Sequence, residues 1–146
     1  MTDIFRCNCP ITSALDIVGD KWSLVIIKQM LFEEKTTFKD FVGSDEHIAT
    51  NILSSRLKML EEFGLIGKKK LPHNKKTNYY YLTDKGLSLT PILIELSLWS
   101  RDYLQEIHPN LNLHEQLSTV EKNKQEASGM IIQRYKAQLK QSESTA

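Results

Sequence analysis

No apolar run in this sequence approaches the roughly 20 residues needed to cross a bilayer; the longest, such as residues 24–27, stop within about one helical turn. No membrane span is expected. The opening Met1-Thr2-Asp3-Ile4-Phe5-Arg6 has no basic stretch leading into an apolar one, so a secretory signal is not expected and the expected compartment is cytoplasmic. Only two cysteines occur, Cys7 and Cys9, too few and too close together to staple distant segments. A glycine-rich phosphate loop and a nucleophile elbow are both missing. The four histidines, His47, His73, His108 and His114, show none of the usual ligand spacings. These absences leave no footing for an enzyme or a cofactor, and the histidines offer none for a metal. Internal repeats of 20 residues or more and low-complexity segments are lacking too.

What remains is an ordinary globular chain of 146 residues, 40% hydrophobic and 25% charged, long enough for one domain with room for an appendage. Its net charge of +1 would identify no partner, but the charge is unevenly spread. Residues 39–80 hold eight Lys or Arg against five acids, and residues 66–80 hold Lys68, Lys69, Lys70, Lys75 and Lys76 with no acid at all.

Hydrophobic spacing predicts a short helix from Thr12 to Val18, a second from the N-cap Asp20 to about Glu33, and a third around Phe38, Phe41 and Val42. The best-defined helix runs from about Ile48 to Phe63. Ile48, Ile52, Leu53, Leu57, Leu60 and Phe63 form its apolar face, and Gly64 stops it. Its other face reads Thr50, Asn51, Ser54, Ser55 and Lys58, free of acid until Glu61. Residues 65–73 and 78–82 read as strands joined by a turn at residues 74–77, a hairpin with lysines at its tip. Thr83 caps a further apolar helix to Ile107, with a kink or break near Thr90 because Pro91 cannot donate a backbone hydrogen bond. After Pro109 a tail carries a helical stripe of Ala127, Ile131, Tyr135 and Leu139, and residues 141–146 are expected to be disordered.

Short helices, a polar-faced helix and a basic hairpin, in that order, make a winged helix-turn-helix: mainly α with a small β-hairpin, an α+β fold with flanking dimerisation helices. A helix entering a major groove needs short hydrogen-bonding side chains on its outer face, and Thr50, Asn51, Ser54 and Ser55 supply them. Arg56 and Lys58 can reach phosphates from its flank. Lys69, Lys70, Lys75 and Lys76 can lie along the backbone or in the adjacent minor groove. The expected partner is double-stranded DNA. The alternative is a winged-helix protein-interaction module without DNA readout, whose helix would carry acid or exposed apolar residues where this one carries Thr, Asn and Ser. Trp22 and Trp99 sit on apolar stripes and are expected in the core. Tyr80 is expected to pack, with Tyr79 or Tyr81 exposed. Leu87, Leu93, Leu96, Leu98, Trp99, Tyr103 and Leu104 are too many for one face of one helix. A homodimer is therefore expected, with the tail stripe joining its interface.

The residues themselves resemble a known family. Cys9-Pro10, Ala14-Leu15-Asp16, Gly19-Asp20-Lys21-Trp22, Ile48-Ala49-Thr50-Asn51-Ile52-Leu53, Arg56-Leu57-Lys58, Gly64-Leu65-Ile66, Tyr80-Tyr81-Leu82-Thr83, Gly86, Pro91 and Trp99 are together similar to the HxlR family of bacterial winged-helix transcription regulators. The resemblance spans about residues 7–104. It implies a homodimer on a dyad-symmetric operator, with the helix from Ala49 in the major groove and the hairpin of residues 66–82 as wing. Residues 1–108 then form the DNA-binding domain with its dimerisation helix, and residues 109–146 a C-terminal helical extension. This chain departs from the family where Ala49 replaces a frequent Ser, removing a capping hydroxyl unless Ser44 or Asp45 substitutes, and where Asn74-Lys75-Lys76-Thr77-Asn78 replaces a proline-containing stretch of the wing. In some relatives the cysteine before this proline senses electrophiles or disulfide stress, which gives Cys9 a redox-sensing reading. The helix start and Lys21 could lower its pKa. A silent, structural thiol and, more weakly, metal binding with Cys7 stand beside that reading. A small-molecule effector would be compatible with the fold, and nothing in the residues names one.

Overall fold

The computed structural model describes residues 4–113 and 117–144. The chain divides into two compact units, one running to Gly86 and one beginning at Leu87. The first holds helices α1 (Pro10–Val18), α2 (Ser23–Glu33), α3 (Phe38–Val42) and α4 (Thr50–Glu62), followed by strands β1 (Ile66–Leu71) and β2 (Asn74–Leu82).

Three of the four starts have a local cause. Helix α1 begins two residues before Thr12 because Pro10 fits the first turn, where its missing N–H costs nothing. Asp20 does cap α2, but from a distance: its carboxylate accepts from the N–H groups of Trp22 and Ser23, both at 3.0 Å, so the helix proper opens at Ser23. Helix α3 opens on a capping box between Thr37 and Asp40. Helix α4 opens at Ala49 with no side-chain cap, and Ser44 does not stand in, since its hydroxyl accepts from the Gln29 amide at 3.0 Å.

Leu53, Leu57 and Leu60 of α4, spaced at four and three residues, are buried, as are Ile26, Ile27, Met30 and Leu31 of α2, Phe41 of α3, and Leu65, Ile66 and Leu82. Full burial of each such side chain contributes about 1.5–3 kcal/mol. Ile52 differs from expectation and is exposed, because it lies about 100° around the helix from Leu53 and both cannot face one core.

The strands pair antiparallel, Ile66 with Leu82, Gly67 with Tyr81, Lys68 with Tyr80 and Lys69 with Tyr79. Gly64 adopts φ +76°, and the bonds from Leu65 N–H to the Leu60 carbonyl and from Gly64 N–H to the Glu61 carbonyl close α4 in a Schellman motif. The chain reverses at Pro72-His73, not at residues 74–77. The polar residues expected to turn the chain bond locally instead, Asn74 accepting from the Lys76 N–H and donating to the Thr77 hydroxyl. Lys70 alone thus lies opposite Lys75, Lys76, Thr77 and Asn78, an irregular stretch of the ladder. Tyr79, Tyr80 and Tyr81 of β2 are all half-buried. Tyr80 meets Phe41 edge-on, and Tyr81 folds over Gly67, where a Cβ would sit 2.4 Å from the ring.

Helix α5 (Asp84–Leu87) spans the junction between the units, and the second unit continues with α6 (Thr90–Tyr103), α7 (Leu117–Lys122) and α8 (Lys124–Ser144). The expected break falls at Thr90, whose hydroxyl donates to the Leu87 carbonyl at 2.6 Å while Pro91 occupies the first turn of α6. Helix α6 packs with both α7 and α8, so the expected dimerisation helix groups with the tail. Leu93, Ile94 and Leu98 of α6 and Tyr135 of α8 are buried, and the ion pairs Arg101–Glu121 and Lys124–Glu95 cross between the helices. The tail stripe therefore meets its own chain first. Helix α8 runs on through Ser144 where disorder was expected from Gln141, because residues 130–144 contain no Gly or Pro and many strong helix formers. Residues 145 and 146 lie outside the described residues. Trp99 is not in the core but 55% exposed. Among the described residues no helix is long and apolar enough to cross a membrane.

Candidate nucleic-acid interface

Helix α4 divides cleanly. Its inner leucines are fixed in the core, and Thr50, Asn51, Ser54, Ser55 and Lys58 are all exposed. These residues follow one another along about 12 Å of helix at 1.5 Å per residue. Thr50, Asn51, Ser54 and Ser55 are hydroxyl or amide groups able to pair with base edges, and the uncapped first turn leaves backbone N–H groups for a phosphate.

Arg56 stands apart from these five. It is half-buried, its guanidinium lies 3.7 Å from an Asp20 carboxylate oxygen, and it donates to the Ser55 hydroxyl. Burial pushes the Asp20 carboxyl upward, but hydrogen bonds from the Ser23 hydroxyl and the Trp22 and Ser23 N–H groups, with the Arg56 charge, hold it below its ordinary value. Asp20 thus starts α2 and ties it to α4, a link that helical periodicity could not reveal.

Of the wing lysines, Lys70, Lys75 and Lys76 are exposed. Lys69 lies over the Tyr81 ring at 5.3 Å, and Lys68 pairs with Glu61 at 3.6 Å. The base of the wing and the outer face of α4 meet in a groove of about 460 Å³, lined by Ser54, Leu57, Lys58, Glu61, Lys68 and Tyr80 among others. The structure therefore brings Ser54 and Lys58 together with the wing base. Lys75 and Lys76 sit near the far end of the hairpin.

The turn entering α4 rests on a polar cluster that the sequence did not announce. Gln29, fully buried in α2, donates its amide to Ser44 and, at 2.9 Å, to Glu46. Lys28 pairs with Glu46 and with Glu33. Burial lowers the Lys28 pKa, but the two carboxylates outweigh it and raise the value. Next to Glu46, His47 adopts a left-handed φ of 55°.

Cys9 is the N-cap of α1, free and exposed, as is Cys7. Its thiol pKa is lowered by the Thr12 N–H, the Thr12 hydroxyl and the Ile11 N–H, which favour the thiolate against a small opposing burial. Lys21, expected to assist, lies over the Trp22 ring. No cluster of three or more metal-ligating side chains occurs among the described residues, and His114 lies outside them.

A family model described as HxlR-like helix-turn-helix matches residues 17–108. An HTH-type transcriptional regulator of Halalkalibacterium halodurans is 38% identical over 92 residues, covering 63% of this chain and 81% of the relative. The reduced form of the transcriptional regulator YodB from Bacillus subtilis matches with a TM-score of 0.55 at 27% identity, over 66% of this chain and 95% of YodB. The redox regulator HypR in its oxidised form matches with a TM-score of 0.57 at 27% identity, over 64% of this chain and 96% of HypR. YodB has also been solved diamide-treated and quinone-bound.

Proposed function

The chain belongs to the HxlR-like helix-turn-helix family of transcriptional regulators, and on that footing we propose that it acts in the cytoplasm as a homodimer on a dyad-symmetric operator, reading bases with α4. The observation that carries this is the outer face of α4: five exposed residues that can hydrogen-bond, no acid among them, on a helix anchored by buried leucines. Thr50, Asn51, Ser54 and Ser55 face base edges. Lys58, Lys69, Lys70, Lys75 and Lys76 neutralise phosphates, and Arg56 contributes from the flank while held by Asp20. The face suits DNA better than the protein-interaction alternative, and the role is regulatory, not catalytic. Selection from random duplexes, followed by titration, tests the reading. Asn51→Ala should lose about 1–3 kcal/mol on the selected sequence and relax one base position. Wild type binding all duplexes equally would overturn it.

The dimer reading rests on α6, where Ile92, Leu96, Trp99 and Tyr103 repeat at steps of four, three and four residues and are all exposed. A second copy of the chain covers them in this proposal.

Cys9 is the candidate redox sensor, on the strength of its exposure and thiolate-favouring helix cap. Diamide removes two electrons and two protons from two thiols, forming one S–S bond as its N=N bond is reduced to a hydrazine. Cys7 is two residues away and badly placed to be the second thiol, so the bond would join two subunits. Operator affinity should change on diamide treatment in wild type and Cys7→Ser but not in Cys9→Ser. An identical response in all three would make Cys9 a silent residue.

A further inference from the structure

The polar cluster under the α3–α4 turn is unusual for its place. Gln29 is 1% exposed, and its Oε1 has no hydrogen-bond partner among the described residues. A buried amide with an unpaired oxygen is a poor core residue, since the desolvated acceptor carries a penalty that an aliphatic side chain would avoid. Its contribution lies in its two donor bonds, both to the segment that leads into α4: one to Ser44, itself buried, and one to Glu46. Lys28, the preceding residue of α2, holds the same carboxylate from its other oxygen. Both oxygens of Glu46 are thus gripped by α2, three residues before the α4 N-cap, and the chain leaves that grip through the left-handed His47.

We propose that Glu46 is a positioning residue for DNA reading: clamped by Lys28 and Gln29, it sets the pose of the turn and hence of the first turn of α4, where Thr50 and Asn51 lie. The inference rests on the reading of α4 as the base-reading helix.

Charge and position act in opposite directions here, which makes the idea testable. An acid beside a DNA-binding helix repels phosphates, so as a bare charge Glu46 weakens all DNA binding, and removing it strengthens binding to every sequence. As a positioning residue, its removal weakens the selected operator alone. The experiment titrates wild type, Glu46→Gln, Glu46→Ala and Lys28→Met with the selected duplex and with an unselected one of equal length, alongside thermal unfolding. Glu46→Ala should bind the selected duplex on the order of tenfold more weakly, with unselected binding unchanged or tighter and the fold intact. Glu46→Gln, which keeps an oxygen for Gln29, should recover most of the loss, and Lys28→Met should reproduce part of it from the α2 side. Glu46→Ala binding the selected duplex as tightly as wild type, or losing both duplexes by one factor, would overturn the inference while leaving α4 as the reading helix. Wild type without any sequence preference would overturn both together.

Discussion

Helices α4 and α6 are similar in length and each buries three aliphatic side chains, yet they leave opposite chemistry outside. Helix α4 buries Leu53, Leu57 and Leu60 and exposes Thr50, Asn51, Ser54, Ser55 and Lys58. Helix α6 buries Leu93, Ile94 and Leu98 and exposes Ile92, Leu96, Trp99 and Tyr103. Folding needs only one apolar face per helix, so the inner leucines say nothing about function. The outer face does: hydrogen-bonding groups there suit a hydrated, polar ligand, and four large apolar groups in a row suit a dry one. Trp99 and Tyr103 already touch, ring centres 5.8 Å apart, and yet are 55% and 70% exposed.

The strongest way to break the contrast is to make α6 polar outside as well. Leu96→Glu with Trp99→Glu should leave a folded monomer of about 16.9 kDa at micromolar concentration and cost operator affinity on the order of a hundredfold, because two linked half-sites become one. Sedimentation showing wild type itself as a monomer would remove the basis of the dimer reading. A smaller effect sharpens the α4 side. Lys75→Gln with Lys76→Gln should weaken all sequences alike and reduce the salt dependence of binding by roughly two units, whereas Asn51→Ala should leave that slope alone. Equal slopes for wild type and the double variant would take Lys75 and Lys76 out of the interface.

The smallest effect concerns how α3 supports α4. Burial raises the Asp40 carboxyl, but the N–H groups of Thr36 and Thr37 and the two threonine hydroxyls hold it below its ordinary value. A depressed carboxyl contributes stability above its unfolded pKa of about 3.9 and loses it as pH falls through the lower folded value. Asp40→Ala should therefore be less stable than wild type by about 1 kcal/mol at pH 7, with the gap narrowing below about pH 4. A gap constant from pH 7 to pH 2 would show that the charge on Asp40 contributes nothing.

The order of elements, the outer face of α4 and the break before Pro91 were all legible in the sequence, because each depends on spacing within one segment. The turn of the wing was not: residues 74–77 carry turn-forming side chains, but Pro72 and the pairing of Leu71 with Asn74 decide where the chain reverses. Trp99 misled for a related reason. An apolar stripe shows that a residue lies on an apolar face, and only packing shows whether the same chain covers that face.

The sequence by itself determined that this chain makes a helix-turn-helix with a basic wing, since periodicity, caps and glycine stops are local properties written in adjacent residues. Tertiary structure alone decided that Asp20 holds Arg56, that Lys28 and Gln29 hold Glu46, and that α8 packs on α6 while Trp99 stays outside. Asp20 and Arg56 stand 36 positions apart in the chain, and Lys28 and Glu46 stand 18 apart. Their partners are chosen by the three-dimensional path of the chain, which no pattern within a single helix encodes.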